Sequence, residues 1–180
     1  VREDNETILS GDIDQDGILS ANAYHVVTFE DASEETVLDG FTITGGQADG
    51  SASLNIDDRH GGGIFNKNGS PRITNCTISG NEATSWGGGI YFWKYRGTLD
   101  VTFINSIVWG NYKGSNPDQV YSRGDSPTYS YCDIQGSGGS EDWMTSLGHD
   151  GGNNIDEYPE FVGFSEEIWD SFTTAEFSNG

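Results

Sequence analysis

Basic residues are scarce in this chain. Eight lysines and arginines face 29 aspartates and glutamates, for a formal charge of −21. Phosphate binding needs a basic footprint, and anionic membrane surfaces attract basic segments, so this balance argues against both partners. It fits a secreted protein that meets divalent cations or salt, and it equally fits a plain solvated exterior. Long apolar runs are also missing: nothing approaches the roughly 18 residues that read as a membrane-spanning helix. Four prolines beside 26 glycines exclude a proline-rich linker, and the glycines lack the collagen period. Residues 1 to 137 show no 3.6-residue apolar period. The one helix candidate is SEEIWDSFTTAEF, Ser165 to Phe177, with Ser165 as N-cap. The sequence opens on Val1 rather than Met, which a removed signal peptide or an excised fragment would explain.

What is present is a repeat. PRITNCTISGN, Pro71 to Asn81, returns as LDGFTITGG from Leu38, FINSIVWGN from Phe103 and YSYCDIQGS from Tyr129. Superposed, the copies give four columns. The first is Leu38, Ile73, Phe103, Tyr129; the second is Phe41, Cys76, Ser106, Cys132. The third is Ile43, Ile78, Val108, Ile134, and the fourth is Gly45, Gly80, Gly110, Gly136. A fixed glycine after an apolar β-type run marks a repeated turn. A shorter motif precedes each copy and aligns Val27, Ile64, Ile90 and Val120. Spacings of 35, 30 and 26 residues along the second column indicate a solenoid, propeller or array. A propeller blade of about 40 residues and four strands does not fit, so the expectation is an all-β fold, a parallel β-solenoid of about four to six coils.

The pairing of GGGI with ITNCTISGN resembles the repeat of polymorphic outer-membrane proteins and of related secreted bacterial right-handed parallel β-helix proteins. The resemblance spans roughly Glu6 to Val162, and SIVWGN with GNNIDEYPEFV, Gly152 to Val162, is similar to their closing coils. It implies a right-handed parallel β-helix and an extracellular or cell-surface location of bacterial type. It leaves function open, because such coils occur in adhesins, surface proteins and uncharacterised exoproteins alike.

Three regions follow. Residues 1–22 hold a strand, Thr7 to Ser10, and the acidic loop GDIDQDG; residues 23–137 are four coils; residues 138–180 are a last coil, a loop and an apolar tail. In the acidic loop Asp12, Asp14 and Asp16 alternate, with Gly17 next and Ser20 beyond, like the first half of a calcium loop. They are the candidate Ca2+ ligands, although Ala23 stands where a bidentate carboxylate belongs and the flanks read as strands. Asp57, Asp58 and His60 on the long loop Gly46 to Gly61 are a weaker metal candidate, with an exposed histidine as the plainer reading. Asn75 and Asn105 occupy the bend between the first two columns, where asparagine tolerates left-handed backbone. Asn81 and Asn111 follow the glycine column and are placed to stack as an amide ladder.

Strand alternation turns Tyr91 and Trp93 outward beside inward Ile90 and Phe92, and Trp109 outward beside Val108. These three aromatics are the candidate carbohydrate-binding residues. Phe164, Ile168, Trp169, Phe172 and Phe177 make the tail apolar enough to close an open coil end, its own or that of a sister subunit. Lys67, Trp93 and Arg123 share a column, but no catalytic pairing of acids and no Ser–His–Asp or Cys–His pattern stands out. Cys76 and Cys132 lie two coils apart, about 9.6 Å by strand spacing, beyond disulfide reach, and are expected as buried free thiols. The expected function is a secreted, non-catalytic structural or adhesive module that self-associates end to end. Carbohydrate binding is the first alternative and a β-helix polysaccharide lyase or hydrolase the second. The partners expected are sister subunits or a surface polysaccharide, with no nucleic acid and no membrane insertion.

Overall fold

The structure, a computed structural model, describes residues 7–15, 17, 21–51, 57–97 and 99–161. Four ladders wrap one axis. One stacks Val27–Glu30, Ile64–Lys67, Ile90–Trp93 and Val120–Arg123 in parallel. The next carries Val37–Asp39, Arg72–Thr74, Thr102–Ile104, Thr128–Ser130 and His149–Asp150. A third carries Thr7–Ser10, Phe41–Thr44, Thr77–Ser79, Ile107–Trp109 and Asp133–Ile134. The fourth is short: Gln47–Ala48, Glu82–Ala83 and Tyr112–Lys113 in parallel, with Asn116–Pro117 antiparallel at its edge. The chain visits each ladder once per turn, which makes the fold a parallel β-helix.

The sequence columns are the registers of these ladders. Ile43 pairs with Ile78, Ile78 with Val108 and Val108 with Ile134, and all four are fully buried. Leu38, Ile73, Phe103 and Tyr129 stack likewise, with the Phe103 and Tyr129 rings 4.9 Å apart. Each such aliphatic or aromatic side chain contributes roughly 1.5–3 kcal/mol by leaving water. The core is therefore a set of short stacks, and every coil buries its inward face against its two neighbours. The fourth ladder, two residues per coil, was not expected from the sequence; its strands are too short to show an apolar alternation.

The turn after the glycine column is filled by buried amides. Asn81 Oδ1 accepts from Gly46 N at 3.0 Å, and Asn111 Oδ1 accepts from Asn81 N at 3.1 Å and Asn81 Nδ2 at 2.9 Å. Asn111 Nδ2 then donates to Gln119 Oε1 at 2.9 Å, and Gln119 Nε2 to Gln135 Oε1 at 2.9 Å. Close passage of successive coils here accounts for the GGGI motif. A Cβ on Gly63 would come within 2.7 Å of Gly89 O and 2.9 Å of Asn81 Nδ2, and one on Gly89 within 2.5 Å of Gln119 O and 2.9 Å of Asn111 Nδ2. Only glycine lets the strand pass so close to the next coil's backbone and to the amides.

The two ends differ. At the C-terminal end Trp143 lies against Tyr129, 5.8 Å between ring centres, and donates from Nε1 to Gly148 O at 2.9 Å. A polar part-coil then closes the stack: Ile155 bridges Asp133, and Asn154 sits in the second column with Oδ1 accepting from Cys132 N at 2.9 Å. Among the described residues the last strand is His149–Asp150, and Glu160 and Phe161 beyond it are irregular, with a φ of 44° at Glu160. At the N-terminal end Leu9, Val27, Leu38 and Phe41 are only partly buried. The expected helix at Ser165 to Phe177 and the tail residues Phe164, Ile168, Trp169, Phe172 and Phe177 lie outside the described residues.

Candidate functional site

A corner repeats in every coil between the second and third ladders. Gly40, Asn75, Asn105, Tyr131 and Asn153 occupy it, with φ of 80°, 53°, 50°, 56° and 61°. A left-handed residue here turns the chain sharply and points its side chain out of the coil. Glycine and asparagine accept that conformation readily, and Tyr131 is the exception. The amides run as a surface ladder: Asn105 Nδ2 donates to Asn75 Oδ1 at 2.6 Å, and Asn75 Nδ2 to Asp39 Oδ1 at 2.6 Å.

Beside this corner lies a groove of about 610 Å³ running across coils. Its rim is Asn75, Asn105, Tyr131 and Asn153, and its floor includes Thr77, Ile107 and Asp133 of the third ladder and Ile155, which bridges Asp133. Pro159 also lines it. Tyr131 is 62% exposed, whereas Asp133 is 8% exposed. Asp133 Oδ1 accepts from Glu157 N at 3.2 Å. Burial, reinforced by Asp156 and Glu157, pushes the Asp133 carboxyl up to about 6. No basic side chain is among the described residues lining the groove.

The aromatics singled out from the sequence do not form one platform. Tyr91 and Trp93 sit on the first ladder and Trp109 on the third. Tyr91 does turn away from the core, but it is 3% exposed and so offers no face to a sugar. It is stacked between Phe65 and Tyr121, at 5.8 and 5.7 Å, and His60 leans over it at 4.5 Å. Trp109, expected to be exposed, is 8% exposed because Tyr158 packs edge-on against it at 6.1 Å. Trp93 is half-buried, with Lys67 Nζ 5.6 Å from its ring centre. The column Lys67, Trp93, Arg123 exists as read, and Lys67 pairs with Glu30 at 3.0 Å.

His60 is not an exposed loop histidine. It is buried and stacked on Trp86 at 5.5 Å, so it serves packing between the long loop and the first ladder. Among the described residues no three histidines, cysteines or acids gather around a common point. Of the four calcium candidates, Asp12 and Asp14 are described, while Asp16 and Ser20 lie outside the described residues. Asp12 Oδ2 accepts from Gly17 N at 3.1 Å, so this carboxylate caps its own turn. Both cysteines are free and buried, and burial raises Cys76 and pushes the Cys132 thiol up to about 11.

The groove was missed in the sequence because its rim reads as a bend column and its floor as the outward half of an alternating strand. One signal was available: a tyrosine, Tyr131, in a column otherwise held by glycine and asparagine. No protein-family model, no curated protein and no solved structure matches this chain.

Proposed function

We propose that this chain is a non-catalytic adhesive module of a secreted or surface protein, and that it holds its partner in the lateral groove between Asn75 and Pro159. The observation that carries this reading is the groove itself. It is open, it extends over several coils, and it combines an exposed tyrosine and exposed amides with apolar floor residues. Long-axis contact surfaces are what solenoids offer best, since each coil adds one more contact position. The resemblance of the repeat to that of bacterial surface proteins supports the same location. The test is retention of the labelled chain on cell-surface and extracellular-matrix preparations. Wild type is retained, and Ile107→Arg, which fills the groove floor from an outward strand position, is not. Equal retention of the two proteins refutes the reading.

The unlike ends favour a second reading, end-to-end association. Among the described residues the C-terminal end is covered by Trp143 and a polar part-coil, whereas Ile8 and Val37 at the other end are 52% and 55% exposed on strands paired from one side. One-sided strands invite strand addition from another chain, and a head-to-tail contact that does not close builds a filament. Deleting residues 164–180 tests whether the tail bridges subunits. Under this reading the wild type assembles with concentration and the truncated chain stays monomeric with its β signal intact; a wild type that stays monomeric at every concentration refutes it.

A further inference from the structure

We propose that the groove is a binding site for a linear, uncharged glycan lying along the helix axis, with Tyr131 as the stacking platform. This rests on the adhesive reading above and names its ligand. The rim position recurs once per coil, and coils are spaced by about 4.8 Å, the strand separation in a sheet. An extended ligand with a comparable repeat meets an equivalent contact in each coil, and an extended pyranose chain has such a repeat. Asparagine carries two N–H donors and two acceptor lone pairs. The ladder uses one donor and one acceptor of Asn75 and one donor of Asn105, which leaves amide groups directed to solvent at both. Amides in this state suit sugar hydroxyls, which both donate and accept.

The apolar components suit the other half of a sugar. Tyr131 offers an exposed ring, and Ile107 and Ile155 provide carbon surface on the floor. Flat C–H faces pack on such surfaces while the hydroxyls reach the rim. Asp133 is nearly buried but lines the groove, with one oxygen accepting from Glu157 N and the other facing no donor among the described residues, an acceptor for a ligand hydroxyl. Charge selects within the class. With Asp133, Asp156 and Glu157 close by, no basic lining residue described and a chain charge of −21, a polyuronide or sulfated glycan is repelled.

The test is titration calorimetry of the full chain with cello-, laminari-, manno- and N-acetylchito-hexaose, and with a hexagalacturonate. At least one neutral hexaose binds, and the galacturonate does not. Tyr131→Asn is the diagnostic variant, because asparagine already occupies the same left-handed corner in three other coils and preserves the backbone. It weakens the neutral hexaose by about tenfold or more, with an unchanged melting temperature, while Tyr91→Phe binds as wild type. The inference is overturned if no neutral hexaose binds at about 1 mM, if the galacturonate binds better, or if Tyr131→Asn leaves affinity unchanged. If every hexaose fails but Ile107→Arg still abolishes surface retention, the partner is not this glycan class and the adhesive reading stands. If Ile107→Arg also has no effect on retention, both fall.

Discussion

Replacing Asn111 by alanine should cost far more than its size suggests. Asn111 is fully buried at the centre of the amide ladder. Its Oδ1 is the acceptor for Asn81 N, a main-chain donor inside the turn, and for Asn81 Nδ2. Its own Nδ2 reaches Ile78 O at 2.9 Å and Gln119 Oε1 at 2.9 Å. Alanine leaves the Asn81 N–H without a partner and without access to water, at roughly 1–3 kcal/mol. The emptied space adds to that, for a total of about 2–4 kcal/mol. A chain of this length loses about 2–4 °C of melting temperature per kcal/mol, so the expected drop is about 5–15 °C. Urea denaturation followed by circular dichroism reads the loss. A double-mutant cycle with Asn81→Ala should return a coupling of about 0.5–3 kcal/mol, because the second substitution removes one of the two donors that the first has orphaned, the Asn81 side-chain amide, while the Asn81 N–H stays. Asn105→Gly in the exposed ladder is the control and should stay within about 0.5 kcal/mol. A loss below about 0.5 kcal/mol for Asn111→Ala, or strict additivity with Asn81→Ala, would refute the ladder as a stabilising element.

The core columns predict that Ile78→Asp prevents folding while Ser79→Asp, one residue along and outward, is tolerated; circular dichroism of the two separates them, and the reverse order would invert the strand alternation. Trp109→Ala should destabilise by on the order of 3 kcal/mol in urea melts, since Tyr158 covers the ring. Asp133 gives a pH signature. Its folded value of about 6 lies above the usual carboxylate range, so the folded state holds the proton more tightly. Its contribution to stability is therefore greatest in acid and falls as pH rises from about 4 through about 6. Asp133→Asn should remove that slope from melting curves and raise stability at neutral pH. Native Cys76 and Cys132 should resist alkylation and both react once the chain is denatured without reductant, as mass spectrometry will read; a single intramolecular bridge would contradict the register.

Much of the fold was legible because a solenoid repeats its constraints. Ile43, Ile78, Val108 and Ile134 solve one packing problem four times, and Gly45, Gly80, Gly110 and Gly136 solve one turn four times, so the register follows from superposing the copies. Asn81 and Asn111 were legible as a ladder for the same reason. What remained hidden depends on contacts between segments that do not repeat. Tyr91 and Trp109 face outward as alternation requires, yet are covered by His60 and Tyr158 from loops whose paths no periodicity encodes. Tyr158 belongs to the closing segment, where the spacing of the earlier coils no longer applies. The groove is hidden likewise, since Ile155 and Pro159 complete its wall only after the chain has closed its last part-coil.

The buried amides carry a direction. Gly46 donates to Asn81 and Asn81 to Asn111, one coil at each step, and Asn111 to Gln119 and Gln119 to Gln135 complete the next step, while Asn81 and Asn111 also donate back to Ile43 O and Ile78 O of the coil before. A coil inserted between Asn81 and Asn111 would receive from the first and donate to the second without disturbing either. In-frame duplication of residues 81–110 therefore yields a longer protein by a single genetic event, with the asparagine-to-asparagine hydrogen bonds reproduced. The lineage of such a chain can lengthen or shorten by whole turns, and selection then acts on reach as a separately heritable trait.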